Sequence, residues 1–223
     1  MKTHNRIYRA IETGNLKVLK KIKFNQDLMD KSLNNMDEAL SFAAYFGNIE
    51  IVKHMVSLGA SPRHNFCECL KSAAIKNTPE NTATFSYLLS LGAKPTAAEL
   101  RDYHRYVTTP LFWASGCGNL DIVKMCIEQG CDIAFENHDA LGEAGKNDQV
   151  EVLEYFATEI LPLEYLEEFG IYAGHPFRLG HQSRNWWEKN KDTIIQRRKT
   201  IALYDSIQST CQEKTVSKPR LKI

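Results

Sequence analysis

The dipeptide Gly-Asn, followed by an aliphatic residue, stands at Gly14-Asn15, Gly47-Asn48 and Gly118-Asn119, and the first two lie about 33 residues apart. Glycine enters the left-handed backbone region without a Cβ penalty and asparagine is a good N-cap, so the pair ends one helix and starts the next within two residues. The flanking residues follow one pattern. Ala43-Ala44-Tyr45-Phe46-Gly47-Asn48-Ile49-Glu50-Ile51-Val52 is echoed by Ala114-Ser115-Gly116-Cys117-Gly118-Asn119-Leu120-Asp121-Ile122-Val123, with small residues where two helices touch and an acidic residue in the first turn of the second. A second glycine series, in Leu58-Gly59-Ala60, Leu91-Gly92-Ala93 and Gln129-Gly130-Cys131, marks where that second helix stops. A chain with this period is a stack of helix pairs, each burying its apolar face against its neighbours.

The fourth copy opens with Thr109-Pro110-Leu111. With a period of about 33 residues, the pattern resembles the ankyrin repeat, whose signature includes Thr-Pro-Leu-His-x-Ala; Phe112 stands where the family has His. The resemblance implies an all-α ankyrin-repeat solenoid of about five helix pairs with a C-terminal helical cap. The repeats fall at about 4–27, 37–63, 67–95, 108–134 and 138–161, and the terminal two are the least typical, as units lacking one neighbour should be. In the third, three extra residues are expected between the helices, within Asn77 to Thr82, with Pro79 opening the second helix. Fifteen residues separate Ala93 from Thr109 against seven between Ala60 and Glu68. A finger carrying Arg101, Tyr103, His104, Arg105 and Tyr106 is therefore expected there, with an added helical turn.

Residues 1–161 thus read as the repeats, 162–211 as a helical cap and 212–223 as a flexible basic tail. The cap comprises a helix starting at Pro162, a loop with Gly170, Gly174, Pro176 and Gly180, and a long helix from Trp186 to about Ser209. Trp187, Ile194 and Ile201 recur every seven residues with Tyr204 one turn on, a stripe that should bury against the open end of the stack. Residues 132–170 hold eleven acidic side chains and one base, Lys146, whereas Arg178 to Ile223 holds eleven bases and four acids. A cap folded back on the fifth repeat would pair the two blocks.

Little in the chain suggests catalytic chemistry. The net charge of +1 carries no global argument for nucleic acid or membrane. Arg197-Arg198-Lys199, with Trp186 and Trp187 upstream, could meet phosphates and bases, but the neighbouring carboxylates favour intramolecular capping, so nucleic acid is not expected. His64-x-x-Cys67-x-Cys69 lacks the second pair that zinc requires, and Cys69 falls where a helix should start, so no metal is expected. A nucleophile built from Cys117 with His175 or His181 has no local support, and no phosphate or calcium loop is present, so no cofactor is implied. Six unpatterned cysteines favour free thiols in a reducing compartment. Met1 to Ala10 is polar and basic and no apolar run is long enough to span a bilayer, so a cytoplasmic protein without a leader, acting away from membranes, is expected.

The resemblance implies a noncatalytic module that binds a protein partner, itself a monomer. Tyr45 and Phe46 hold the two variable positions before the turn that line the concave face in such repeats. With Arg101, Tyr103, His104, Arg105 and Tyr106 of the finger they form the expected partner site, since interface energy concentrates in a few large side chains. The divergent repeats resemble those of ankyrin proteins that intracellular bacteria and large viruses make to bind host proteins, implying an effector. Two alternatives belong to other classes. Leu161-Pro162-Leu163-Glu164-Tyr165-Leu166 resembles the opening of an F-box, implying a ubiquitin-ligase adaptor. An enzyme would have its site among Tyr172, His175, His181 and Trp186.

Overall fold

The computed structural model describes residues 2–22, 36–96, 109–133, 139–166 and 179–216, and no strand occurs among them. Five helix pairs follow one another: α1 (Lys2–Glu12) with α2 (Leu16–Lys20), α3 (Met36–Tyr45) with α4 (Ile49–Ser57), and α5 (His64–Ala74) with α6 (Pro79–Ser90). Then come α7 (Pro110–Cys117) with α8 (Leu120–Glu128), and α9 (Asp139–Lys146) with α10 (Val150–Tyr155), which a π-helical turn prolongs over Phe156–Ile160. A final helix, α11, runs from His181 to Val216. The first helix of each pair packs on the first helix of the next, forming an inner row, and α4, α6, α8 and α10 pack in an outer row. The inner row touches through Ala39, Ala43, Ala44, Ala73, Ala74, Ala114, Ser115 and Ala144, all fully buried. Small residues let the helix axes approach closely, so a larger side chain at these positions would overpack the row.

The turn between the helices of a pair works as the sequence suggests and carries one contact more. Gly14, Gly47 and Gly118 have φ of 66°, 68° and 77°, and the side chains of Asn15, Asn48 and Asn119 accept 3.1 Å hydrogen bonds from the N–H groups of Val18, Ile51 and Ile122. The amides also reach backwards. Asn119 Nδ2 donates to the Lys76 carbonyl of the preceding repeat (3.3 Å), and Gln149 Nε2 donates to the Gly116 carbonyl (3.3 Å). Asn81 Nδ2, buried, lies close to the carbonyls of Ala44 (3.1 Å), Tyr45 (3.2 Å) and its own repeat's Ala73 (3.2 Å). A Cβ on Gly47 would stand 3.0 Å from Asn81 N and Oδ1, so glycine is required there both by the positive φ and by the neighbour's approach.

The third repeat departs from expectation in an instructive way. Thr78 stands where Asn48 does in the second repeat and takes its place as N-cap, accepting from Asn81 N at 3.2 Å, with Pro79 at the first helical position. The three extra residues are therefore not between the helices: they lengthen α6 to 12 residues, against 9 in α4 and α8. The added turn leaves Asn81 one full repeat period after Asn48, where its amide does for the second repeat what Asn119 does for the third. The inner helix of this repeat also starts earlier than expected, at His64, which puts Cys69 mid-helix and buried.

The cap is held at two ends. Asp148 takes the place of the turn glycine in the fifth repeat, at φ 57°, and its carboxylate accepts the Ser183 N–H at 2.8 Å, capping the start of α11. Gly180 N donates to the Gly145 carbonyl at 2.8 Å, and a Cβ on Gly180 would collide with the Asp148 carboxylate. Farther along, Arg198 donates to the carbonyls of Thr158 (2.9 Å) and Leu161 (2.7 Å), closing the end of the π-helical turn. Between these points Trp187 and Ile194 are buried. Three expectations are corrected here. The helix starts at His181, not Trp186, because the Asp148 cap lies there, and it continues to Val216, so 212–216 is helical, not tail. The apolar stripe buries only its first half: Ile201 and Tyr204 are 44% and 61% exposed, because the array ends before they reach it. Arg198 meets backbone carbonyls where a carboxylate was expected.

Asn81→Ala should cost about 2–3 kcal/mol in urea denaturation, since buried carbonyls on two repeats lose their donor. The exposed cap change Asn15→Ala should cost about 1 kcal/mol or less. Truncation after Leu161 should lower the thermal midpoint by about 5 °C or more by baring the face that Trp187 and Ile194 cover; an unchanged midpoint would show the cap to be dispensable. The Ser183 N–H, with lesser help from the Gln182 N–H and His181, holds the Asp148 carboxyl below its ordinary pKa. A carboxylate depressed on folding stabilises above its unfolded pKa and loses that contribution as pH falls through its folded one. Wild type should therefore melt above Asp148→Asn near neutral pH, with the gap closing in melting curves taken below about pH 4.

Candidate interaction surface

The positions just before the turns form a row on the inner helices. Tyr45 and Phe46 are both half-buried, their rings meeting edge to face with centroids 5.1 Å apart. Phe46 meets Phe42 at 5.0 Å, and Phe42 meets Tyr8 of the first repeat at 4.7 Å, so Phe46 is packed from below while Tyr45 stands on the outside of the cluster. Burial, with the charge of Glu38 adding to it, raises the Tyr8 phenol above its ordinary pKa, keeping that ring neutral. From the next repeat Lys76 lays its ammonium over both rings, 3.8 Å from the Tyr45 centroid and 4.7 Å from that of Phe46. Such a contact favours the cation by ~0.5–1 kcal/mol at an exposed site. The product is an aromatic platform with a positive charge on it, spanning three repeats.

In the fourth repeat the platform position is empty of side chain. Gly116 stands two residues before Gly118, as Tyr45 does before Gly47, and Trp113 stands five before it, as Phe42 does. Trp113 is 36% exposed, with Phe112 packed on it edge to face at 5.3 Å, and the Glu143 side chain of the fifth repeat stands where a Cβ at 116 would go. Lys76, Phe42 and Trp113 were not singled out from the sequence.

Of the expected partner-site residues, Tyr45 and Phe46 are thus brought together. Arg101, Tyr103, His104, Arg105 and Tyr106 lie outside the described residues, as does the helical turn expected beside them. On the outer row, α6 and α8 bound an open groove of about 600 Å³ lined by Thr82, Ser86, Lys124 and Met125 among others.

The Cys69 thiol donates to the Pro62 carbonyl at 3.1 Å, and the side chains of His64 and Cys67 lie outside the described residues. Cys117 is half-buried rather than a surface thiol. Its Sγ donates to the Ala74 carbonyl at 3.3 Å, and burial raises its pKa, which disfavours the thiolate. His181 is exposed on the first turn of α11, with Nδ1 3.3 Å from Asn185 Nδ2; Tyr172 and His175 lie outside the described residues. The segment resembling an F-box opening seats the cap: Leu161 and Leu166 are buried and Leu163 and Tyr165 pack on the core. Among the described residues, no helix is long and apolar enough to cross a membrane and no cluster of three or more His, Cys, Asp and Glu could hold a metal ion.

A family model described as ankyrin repeat matches residues 109–135, the helix pair α7–α8 with its Thr-Pro-Leu opening. No curated protein matches the chain. The matched unit is one of five stacked helix pairs, with side-chain amides reaching back to the preceding repeat from Asn81, Asn119 and Gln149, an all-α solenoid of the kind that ankyrin repeats form.

Proposed function

We propose that the chain binds a protein partner along its inner-helix face, from the Tyr45, Phe46 and Lys76 platform to Trp113. Ankyrin repeats are protein-interaction modules, and stacked repeats present an extended surface for that purpose. The observation that carries the reading is the lysine-crowned aromatic cluster, whose rings contribute area at little entropic cost while Lys76 offers a charge to a partner carboxylate or carbonyl. The finger, with Arg101, Tyr103, His104, Arg105 and Tyr106, would extend this surface between the third and fourth repeats. The likeness to repeat proteins of intracellular bacteria and large viruses favours a host protein as partner, met in a reducing cytoplasm. The family is typically noncatalytic, and the reading needs no reaction.

Affinity capture from cell lysate with immobilised wild-type protein, run in parallel with Trp113→Ala and Tyr45→Ala, identifies the partner by what the variants lose. Once it is in hand, each variant should weaken binding at least about thirtyfold, the equivalent of ~2 kcal/mol for an interface aromatic, with a nearly unchanged melting curve. The double alanine variant at Tyr103 and Tyr106 should do the same. Wild-type affinity in all three would place the interface elsewhere. Lost affinity with lost stability would make the rings packing residues.

A further inference from the structure

The end of α11 is a bare helix. Every residue from Lys199 to Ser209 is exposed, directly after the point where Arg198 anchors to the Leu161 carbonyl. Residues 199–216 span about 27 Å of helix at the rise of about 1.5 Å per residue. Their composition does not favour a free helix. Thr200, Ile201, Tyr204, Asp205, Ser206, Ile207 and Ser209 are all weak helix formers, and isolated helices near this length are marginal even for good ones. Helical stability in such a case comes from packing of an apolar face. That face exists: of the five large apolar residues exposed among the described residues, four are Ile201, Leu203, Tyr204 and Ile207. At the helical rotation of about 100° per residue they lie within about 160° of one another.

We propose that this face pairs with the same face of a second copy of the chain, antiparallel, about a two-fold axis at Tyr204. Three observations select this occupant. Ile201 lies three residues before Tyr204 and Ile207 three after it, so the two-fold sets Ile201 of one copy against Ile207 of the other and Tyr204 against itself. Such self-complementarity is what an isologous interface requires. The face is preceded by Arg197-Arg198-Lys199, which a parallel pair would stack as six adjacent bases. An antiparallel pair holds the two basic turns about 18 Å apart, beyond the Debye length of ~8 Å. The four side chains of both copies together expose at most about 1,000 Å², the lower limit for a specific interface, so the dimer is weak and concentration-dependent. The two arrays sit at opposite ends of the helix pair and keep their inner-helix faces free. A monomer, expected from the sequence, would instead leave the second half of the Trp187, Ile194, Ile201 stripe in water.

Sedimentation equilibrium of the full chain tests the pairing. The wild type should pass from one copy to two between ~1 and ~200 µM. Tyr204→Glu, which sets two carboxylates against each other, should weaken the dimer at least about tenfold with an unchanged melting curve. Because residue 204 meets itself, Tyr204→Lys should be equally weak alone, and mixing it with Tyr204→Glu should restore the dimer. A single-copy mass at every concentration, a dimer indifferent to Tyr204→Glu, or no recovery on mixing would each overturn the proposal. So would a wild-type monomer that sediments with phosphatidylserine vesicles, which would assign the face to an anionic membrane instead.

Discussion

The contact on which the stack depends is a side-chain amide reaching back across a turn. Where Asn81, Asn119 and Gln149 reach back, the last carbonyls of one inner helix meet the start of the next outer helix, and an unpaired buried group there would cost ~1–3 kcal/mol. Asn119 serves both sets at once, accepting from Ile122 N with its oxygen and donating to the Lys76 carbonyl with its nitrogen. In the third repeat the two tasks are divided between Thr78, which caps, and Asn81, which reaches back. The positive-φ glycines, the alanines of the inner row and the Cys117 thiol on the Ala74 carbonyl all follow from bringing adjacent repeats within reach of that amide.

The same junction explains how the array ends. In the fifth repeat the turn glycine is replaced by Asp148 in the same left-handed conformation, which a short polar side chain tolerates. No sixth repeat approaches it, and its carboxylate caps the first turn of α11 through the Ser183 N–H. What would have been the seat for a further amide becomes the seat for the cap. At the far end Arg198 supplies donors to the carbonyls of Thr158 and Leu161, as the amides do within the array.

The proposed binding face uses what this scaffold leaves over. The positions before the turns lie at the edge of the core, where Tyr45, Phe46, Lys76 and Cys117 are half-buried. In the second repeat they hold an aromatic pair, in the third a lysine that covers it, and in the fourth Gly116 and Cys117. Rings held on rigid helices are already oriented, which would limit the entropy lost in the proposed binding.

The sequence by itself determined the repeat and its period, the ends of the outer helices at Gly59, Gly92 and Gly130, the N-caps at Asn48 and Asn119 and the helix start at Pro79, because each is a local requirement of backbone geometry. It also set Tyr45 and Phe46 side by side before the Gly47 turn, where their rings meet. Only the tertiary structure decided where the three extra residues of the third repeat lie, since insertion between helices and extension of a helix share one sequence, and the need to keep the Asn81 amide on the Ala44 and Tyr45 carbonyls selects the second. Likewise the heptad of Trp187, Ile194 and Ile201 records a helix with one apolar side, whereas which of the three is buried depends on where the array stops beneath it. Lys76 over the Tyr45 ring was legible from neither period nor motif, because a cation and a ring in different repeats meet only when the two repeats stack.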